Sequence, residues 1–267
     1  MKKCTACGVE PFDKCFGVGY QVGHGDYSPY PRVNRARKSF LEKDFIIDAE
    51  RACLLTEGYK ENAAAPQILK VARALEHVLT NVQINIYPDE LVVGEIASPN
   101  KTAPIFPEFS YDWIMDEMEN DPFDERPFDQ YCITDETKEK LKGIAEFWKG
   151  QTVAEAIENS LSPDEKKGSE MGRGMYILNL YHYGGIGHMV ADYPKLLKLG
   201  FGGIRSEVEN KLKALDTTTA EGLNKRNFYQ AQLIMADAAS TYIERYASLA
   251  EELASSEKDE ERIQYNG

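Results

Sequence analysis

The residues best suited to chemistry in this chain are gathered in one stretch, Gly184-Gly185-Ile186-Gly187-His188-Met189-Val190-Ala191-Asp192-Tyr193-Pro194-Lys195-Leu196-Leu197. It combines flexible backbone, an ionisable imidazole, a carboxylate and a phenol. Glycines let the main chain approach another group closely. A histidine held in such a loop can face a cavity rather than pack beneath a helix, and imidazole is suited to proton transfer near neutral pH. His188 is therefore the leading catalytic candidate. Leu180, Tyr181, His182 and Tyr183 precede the loop and are candidates for lining the same pocket as His188, with aromatic core packing as the equal alternative. Asp192 has two possible uses: to orient His188, or to cap the helix whose start is marked by Pro194, the second being favoured.

A second group is Cys4-x-x-Cys7 with Cys15 and His24. Paired cysteines at this spacing occur in zinc and iron–sulfur sites, but a strong signal needs a second pair, and none is present. A reduced tail with no metal is the favoured reading. Arg51, Glu57 and Arg73 fall on helical patterns, where ion pairing is expected rather than catalysis.

Composition narrows the function classes. The chain has 267 residues, 42% hydrophobic and 28% charged, and a net charge of −13. That balance suits a globular protein and disfavours nucleic acid, whose phosphates call for a basic face. The cluster Arg32-Val33-Asn34-Arg35-Ala36-Arg37-Lys38 reads as a solvated or subunit-contacting segment. No apolar run approaches the roughly 20 residues of a membrane helix. The first residues lack the apolar core of a secretory signal, so a cytoplasmic location and no membrane partner are expected. Five cysteines without framework spacing fit reduced thiols.

The elements that must position these groups are mostly helices. Residues 1–40, rich in Gly, Pro, Tyr and Cys, read as an irregular arm, and residues 41–267 as one domain. Helices are expected over Asp48–Tyr59, from Pro66 onward, over Tyr111–Glu119, from Thr134 to Trp148, over Thr152–Ser160 and Pro163–Met171, and over Gly203–Leu215. A single long amphipathic helix is expected from Thr219 to Ser256, with Leu223, Phe228, Leu233, Ala236, Ala239, Ile243, Tyr246, Ala250 and Leu253 on its buried stripe. Ile84–Tyr87 and Leu91–Ile96, separated by Pro88-Asp89-Glu90, read as the two clearest strands. Ser98–Ser110 holds three prolines and reads as an ordered loop or extended segment. A helical chain with so few strands, and with no element after its final helix, is expected to be the first part of something larger.

Several of these segments together resemble the opening of the glycyl radical enzymes, the pyruvate formate-lyase-like dehydratases, decarboxylases and lyases. The resemblance runs through Glu50-Arg51-Ala52, Leu54-Leu55-Thr56-Glu57 and Tyr59, then Arg73-Ala74-Leu75, Ile84-Asn85-Ile86 and Asp89-Glu90-Leu91-Val92-Val93-Gly94. It continues through Ser98-Pro99-Asn100, Phe106-Pro107-Glu108, Phe147-Trp148-Lys149-Gly150, Gly187-His188 and Asp192-Tyr193-Pro194-Lys195-Leu196-Leu197. It covers about residues 40 to 255 in order.

The resemblance implies an α/β fold, the N-terminal part of a ten-stranded α/β barrel, with this part mainly α and few strands. It implies a radical stored on a C-terminal glycine, installed by a radical S-adenosylmethionine activase and relayed to a cysteine. Neither motif is in the chain: Cys53 is followed by Leu54-Leu55 and Cys132 by Ile133-Thr134, and the Arg-Val-x-Gly-Tyr pattern does not occur. The expectation is therefore no cofactor bound by this chain, a glycyl radical on the missing C-terminal region, and a partner in the remainder of the enzyme or a second chain carrying Cys and Gly. A homodimer and a small-molecule substrate are also expected. By the same resemblance His188 hydrogen-bonds a substrate hydroxyl and assists its loss as a general acid, which points to C–O elimination from a small diol. The alternatives are an arylacetate decarboxylase or a fumarate-adding synthase, for which Phe106–Tyr111 and Tyr181–Tyr183 supply aromatic surface, or a non-catalytic subunit that binds a partner.

Overall fold

The computed structural model describes residues 29–95, 97, 101–120, 122–126, 130–169 and 190–258. They fall into two units that exchange chain, one built from 29–49, 87–92 and 101–169, the other from 50–86, 93–97 and 190–258.

In the first unit, Pro31 starts helix α1 (Pro31–Leu41). This corrects the expected irregular arm over residues 31–40; residues 1–28 of that arm lie outside the described residues. Proline's fixed φ and missing N–H suit a first helical position, and the arginines that follow are good helix formers. Two of them reach a turn far along the chain: Arg32 Nη1 donates to the Asp89 carbonyl at 2.6 Å, and the Arg35 guanidinium grips the Asp89 carboxylate at 2.6 and 3.1 Å. Strand β1 (Ile46–Asp48) pairs in parallel with β2 (Thr102–Pro104), with Ile46 opposite Thr102 and Asp48 opposite Pro104. The Lys101 ammonium lies over the Phe45 ring at 4.4 Å, which ties the entry of β2 to the entry of β1. Cys132 flanks the other edge of β1, its carbonyl accepting from Ile47 N–H at 2.9 Å.

Helix α4 (Asp112–Asn120) packs on α5 (Asp135–Trp148). Leu141, Ile144 and Trp148 recur at helical spacing and are buried, so α5 turns one apolar face inward. The Thr134 hydroxyl accepts from Thr137 N–H and caps α5, as its position predicts. Helices α6 (Val153–Ser160) and α7 (Pro163–Ser169) follow.

In the second unit, α2 (Glu50–Glu61) lies against α3 (Gln67–Asn81). Gly58 lets the two helices approach closely: a Cβ there would sit 2.6 Å from Ala74 Cα. Helix α8 (Tyr193–Lys213) is broken at Gly200, whose φ is 61°. Helix α9 (Ala220–Ser256), capped by Thr219, packs along α3 and α8. Its inner face is made of small residues, Gly222, Ala231, Ala236 and Ala238, together with Tyr246. Ala236 and Tyr246 lie on the expected stripe. Leu223, Phe228, Ile243 and Leu253, also expected on that stripe, are instead 44–54% exposed. Small residues let helices approach closely, which moves the contact line off the larger side chains.

The two expected strands are a second correction. Ile84–Tyr87 and Leu91–Glu95 are irregular, and the strands form instead at Ile46–Asp48 and Thr102–Pro104. Leu91 and Val92 are 73% and 92% exposed, so their apolar side chains are left largely unpacked among the described residues. Asp89 at φ 71° makes the turn between them. Mainly α with few strands is the architecture observed. No helix among the described residues is long and apolar enough to cross a membrane.

Candidate functional site

Leu180, Tyr181, His182, Tyr183 and His188 lie outside the described residues, as do Cys4, Cys7, Cys15 and His24. Asp192 is described, and the helix-capping use is the one its described geometry shows. Its carboxylate accepts from Lys195 N–H at 3.1 Å, the bond of an N-cap, with Pro194 in the first turn. Its carbonyl accepts from Leu196 N–H at 3.0 Å. Asp192 thus anchors the start of α8.

The helix it starts is also held from within. Lys195 Nζ lies 2.7 Å from Glu207 Oε2, and each holds the other in its charged form. The Glu207 carboxylate raises the Lys195 ammonium above its ordinary range, and the ammonium lowers the carboxyl below its own. Arg205 bonds Asp237 of α9 at 2.7 Å and also pairs with Glu209 in its own helix, which fixes the second half of α8.

In the same unit Tyr246 and Tyr242, one turn apart on α9, meet the backbone of Glu95. Glu95 N–H donates to the Tyr246 hydroxyl at 3.2 Å, and the Tyr242 hydroxyl donates to the Glu95 carbonyl. Burial and the neighbouring Tyr246 push the Tyr242 phenol well above its ordinary range. It stays a neutral donor, suited to structure rather than to proton transfer.

The first unit carries a hollow of about 360 Å³ lined by Tyr111, Trp113, Asp112, Asp116, Glu155 and Glu158. Glu155 is committed to structure. It accepts from Thr152 N–H and Oγ1 and from Gly150 N–H while Thr152 Oγ1 accepts from Glu155 N–H, a complete capping box. Burial works to raise this carboxyl, but the hydrogen bonds from Thr152, Gly150 and Gln151 outweigh it and hold it below the ordinary range. No group of three or more metal-binding side chains occurs among the described residues. Cys53 is half-buried and Cys132 exposed.

Sequence reasoning missed three features here: the break at Gly200, the pair Lys195–Glu207 and the tyrosine clamp on Glu95. The last two join residues too far apart in sequence for periodicity to register. The run Leu199-Gly200-Phe201-Gly202-Gly203 was the available signal for the first.

Comparison with known proteins places these features in a wider context. The family described as "Pyruvate formate lyase-like" matches residues 27–265. The (2S)-3-sulfopropanediol dehydratase of Klebsiella oxytoca is 45% identical over 261 residues, 97% of this chain and 32% of that protein. The glycerol-bound B12-independent glycerol dehydratase of Clostridium butyricum superposes with a TM-score of 0.83 at 33% identity, over 89% of this chain and 30% of that one. A structure described under 1,2-propanediol dehydration in Roseburia inulinivorans gives a TM-score of 0.83 at 32% identity, over 91% and 28%. The chain therefore spans about a third of the length of these relatives.

Proposed function

The chain belongs to the pyruvate formate lyase-like family, and on that premise we propose that it is the N-terminal part of a glycyl radical dehydratase acting on a small vicinal diol. The observation that carries this reading is the 45% identity along nearly the whole chain to a protein named (2S)-3-sulfopropanediol dehydratase. The likeness in fold to glycerol and 1,2-propanediol dehydration enzymes supports it.

In this reading the chain supplies the covering helices of a ten-stranded α/β barrel and one wall of the substrate pocket. The glycyl radical and the cysteine it charges lie on the remainder of the enzyme, and a radical S-adenosylmethionine activase installs the radical. The enzyme acts as a homodimer. Once hydrogen has been removed from the neighbouring carbon, the diol must lose its second hydroxyl. His188, as imidazolium, donates a proton to that oxygen and the C–O bond breaks with departure of water. The remaining hydroxyl releases a proton as its carbon becomes the carbonyl, and the abstracted hydrogen returns to the carbon that lost the hydroxyl. Tyr181, His182, Tyr183 and Leu180 line the pocket beside it.

The test is anaerobic co-expression with an activase and the portion carrying Cys-x-Glu and the glycine motif. Electron paramagnetic resonance would first register the glycyl radical. The activated enzyme is then offered 3-sulfopropanediol, glycerol, 1,2-propanediol and isethionate. Formation of the aldehyde and water from one of the diols is the expected outcome. A glycyl radical with turnover of isethionate alone, or of none of the four, would overturn the diol reading.

A further inference from the structure

The two halves of α8 cannot lie on one straight axis. In a continuous helix, residues twelve apart are separated by about 18 Å along the axis, beyond the combined reach of a lysine and a glutamate side chain. Yet Lys195 Nζ and Glu207 Oε2 are 2.7 Å apart. A second observation agrees. A Cβ built on Gly203 would lie 2.9 Å from the Leu199 Cβ, a contact that residues four apart in a regular helix do not make. Both require the chain to turn back between Leu199 and Gly203. Gly200, at φ 61° and ψ 177°, is where it does so.

The halves are also held unequally. The second contains Val208, the buried residue of this helix, and is tied to α9 by Arg205 and Asp237. The first, Tyr193–Leu199, contains no buried residue: Leu197 is 85% exposed and Tyr193 62%. The ion pair that holds it has side chains 41% and 44% exposed, a situation in which salt screens the attraction strongly.

We propose that Gly200 is a hinge, that Tyr193–Leu199 is a lever folded back upon the anchored half of α8, and that Lys195–Glu207 is the latch that keeps it there. Gly203 is the seat, left without a side chain so that Leu199 can close upon it. The lever takes two arrangements: latched, or swung out toward a continuous helix as the latch is broken. Helical geometry needs no other change, because the residues on both sides of Gly200 are already helical. In sequence the lever follows directly on the glycine-rich stretch, so the latch should bear on substrate binding if that stretch walls the pocket. This last consequence rests on the pocket reading above; the hinge does not.

Two readouts separate them. Nitroxide side chains introduced as non-canonical amino acids at positions 193 and 211 of the full chain leave the five cysteines untouched. A straight helix would place these backbones about 27 Å apart. The latched lever predicts a clearly shorter main distance, with a longer population growing at high salt. Lys195→Glu should shift the distribution to the long distance, and Lys195→Glu with Glu207→Lys should restore the short one. Gly200→Ala should give the long distance even at low salt, because alanine disfavours φ near +60°. A main distance near 27 Å in the unsubstituted chain, or a distribution indifferent to charge reversal, overturns the hinge. In the activated enzyme, Lys195→Glu should raise KM for the diol several-fold and the double reversal should restore it. A distance that moves while KM does not would overturn the link to the pocket and leave the hinge standing.

Discussion

Tyr246, one of the deepest side chains of α9, accepts a hydrogen bond from the backbone N–H of Glu95 at 3.2 Å. One turn earlier Tyr242 donates to the carbonyl of the same residue, and the two rings meet edge to face at 5.1 Å. Two phenols do for Glu95 what a neighbouring strand would otherwise do. Backbone polar groups taken from water need partners, and here side chains supply them. Tyr246→Phe should therefore cost about 1–2 kcal/mol, because it removes a hydrogen bond from a partly buried N–H without changing the shape of the core. Urea denaturation of the single variant and of Tyr242→Phe/Tyr246→Phe would check this; a change within error would contradict it.

Arg245, between those tyrosines, closes the C-terminus of α3. Its guanidinium donates to the Leu79 carbonyl at 2.7 Å and the Val82 carbonyl at 2.6 Å. The last carbonyls of a helix have no partner within it, and a cation is favoured there. Arg245→Ala should lower stability by roughly 2 kcal/mol. Arg245→Lys should recover only part of that, since an ammonium lacks the fork that reaches both oxygens. Full recovery by lysine in chemical denaturation would argue against the two-carbonyl role.

Gly58→Ala should be among the most damaging single-methyl changes in the chain. The added carbon would meet Ala74 Cα, a backbone atom that cannot rotate away, at 2.6 Å. Overpacking of this kind costs about 1–3 kcal/mol. Thermal unfolding would show a clear drop in Tm, and an unchanged Tm would mean α2 and α3 are not in the close contact described.

The Thr152–Glu155 capping box makes a prediction about pH. The Glu155 carboxyl lies below its ordinary value of 4.5 in the folded chain. A carboxyl depressed by folding adds stability that is present above its unfolded value and is lost as pH falls through the folded one. The chain should thus lose stability on acidification from pH 5 toward pH 3, and Glu155→Gln should flatten that part of the curve. Thr152→Ala, which removes the reciprocal half of the box, should cost about 1 kcal/mol at neutral pH. An acid limb identical in both proteins would rule out the contribution of Glu155.

How much of this was legible in the sequence follows from the range of each interaction. Thr134, Thr152, Thr219 and Asp192 all lie at or beside helix starts inferred from the chain, because a cap is a local bond between residues three apart. The strands were not legible. Ile84–Tyr87 and Leu91–Ile96 have the composition of strands, but pairing depends on what lies alongside. Ile46–Asp48 found Thr102–Pro104 across more than fifty residues. The stripe of α9 was half legible: periodicity identified a buried face, but the alanines that form it carry a weak hydrophobic signal beside Phe228 and Ile243. In the candidate site, Asp192 could be placed by its cap. Gly200 went unread because a glycine inside a helical pattern does not say which way the chain turns.

The central claim is that this chain forms the substrate wall of a diol dehydratase, with His188 giving a proton to the departing hydroxyl. It is tested most directly by steady-state kinetics of the activated enzyme bearing His188→Ala, assembled with the portion carrying the cysteine and glycine, at matched glycyl radical content. The account predicts a fall in kcat for the diol of roughly 10²-fold or more, the range of general acid catalysis, with the radical signal intact. Asp192→Asn, which keeps an acceptor at the head of α8, should stay within a few-fold of the unsubstituted enzyme. Unchanged turnover in His188→Ala would contradict the account.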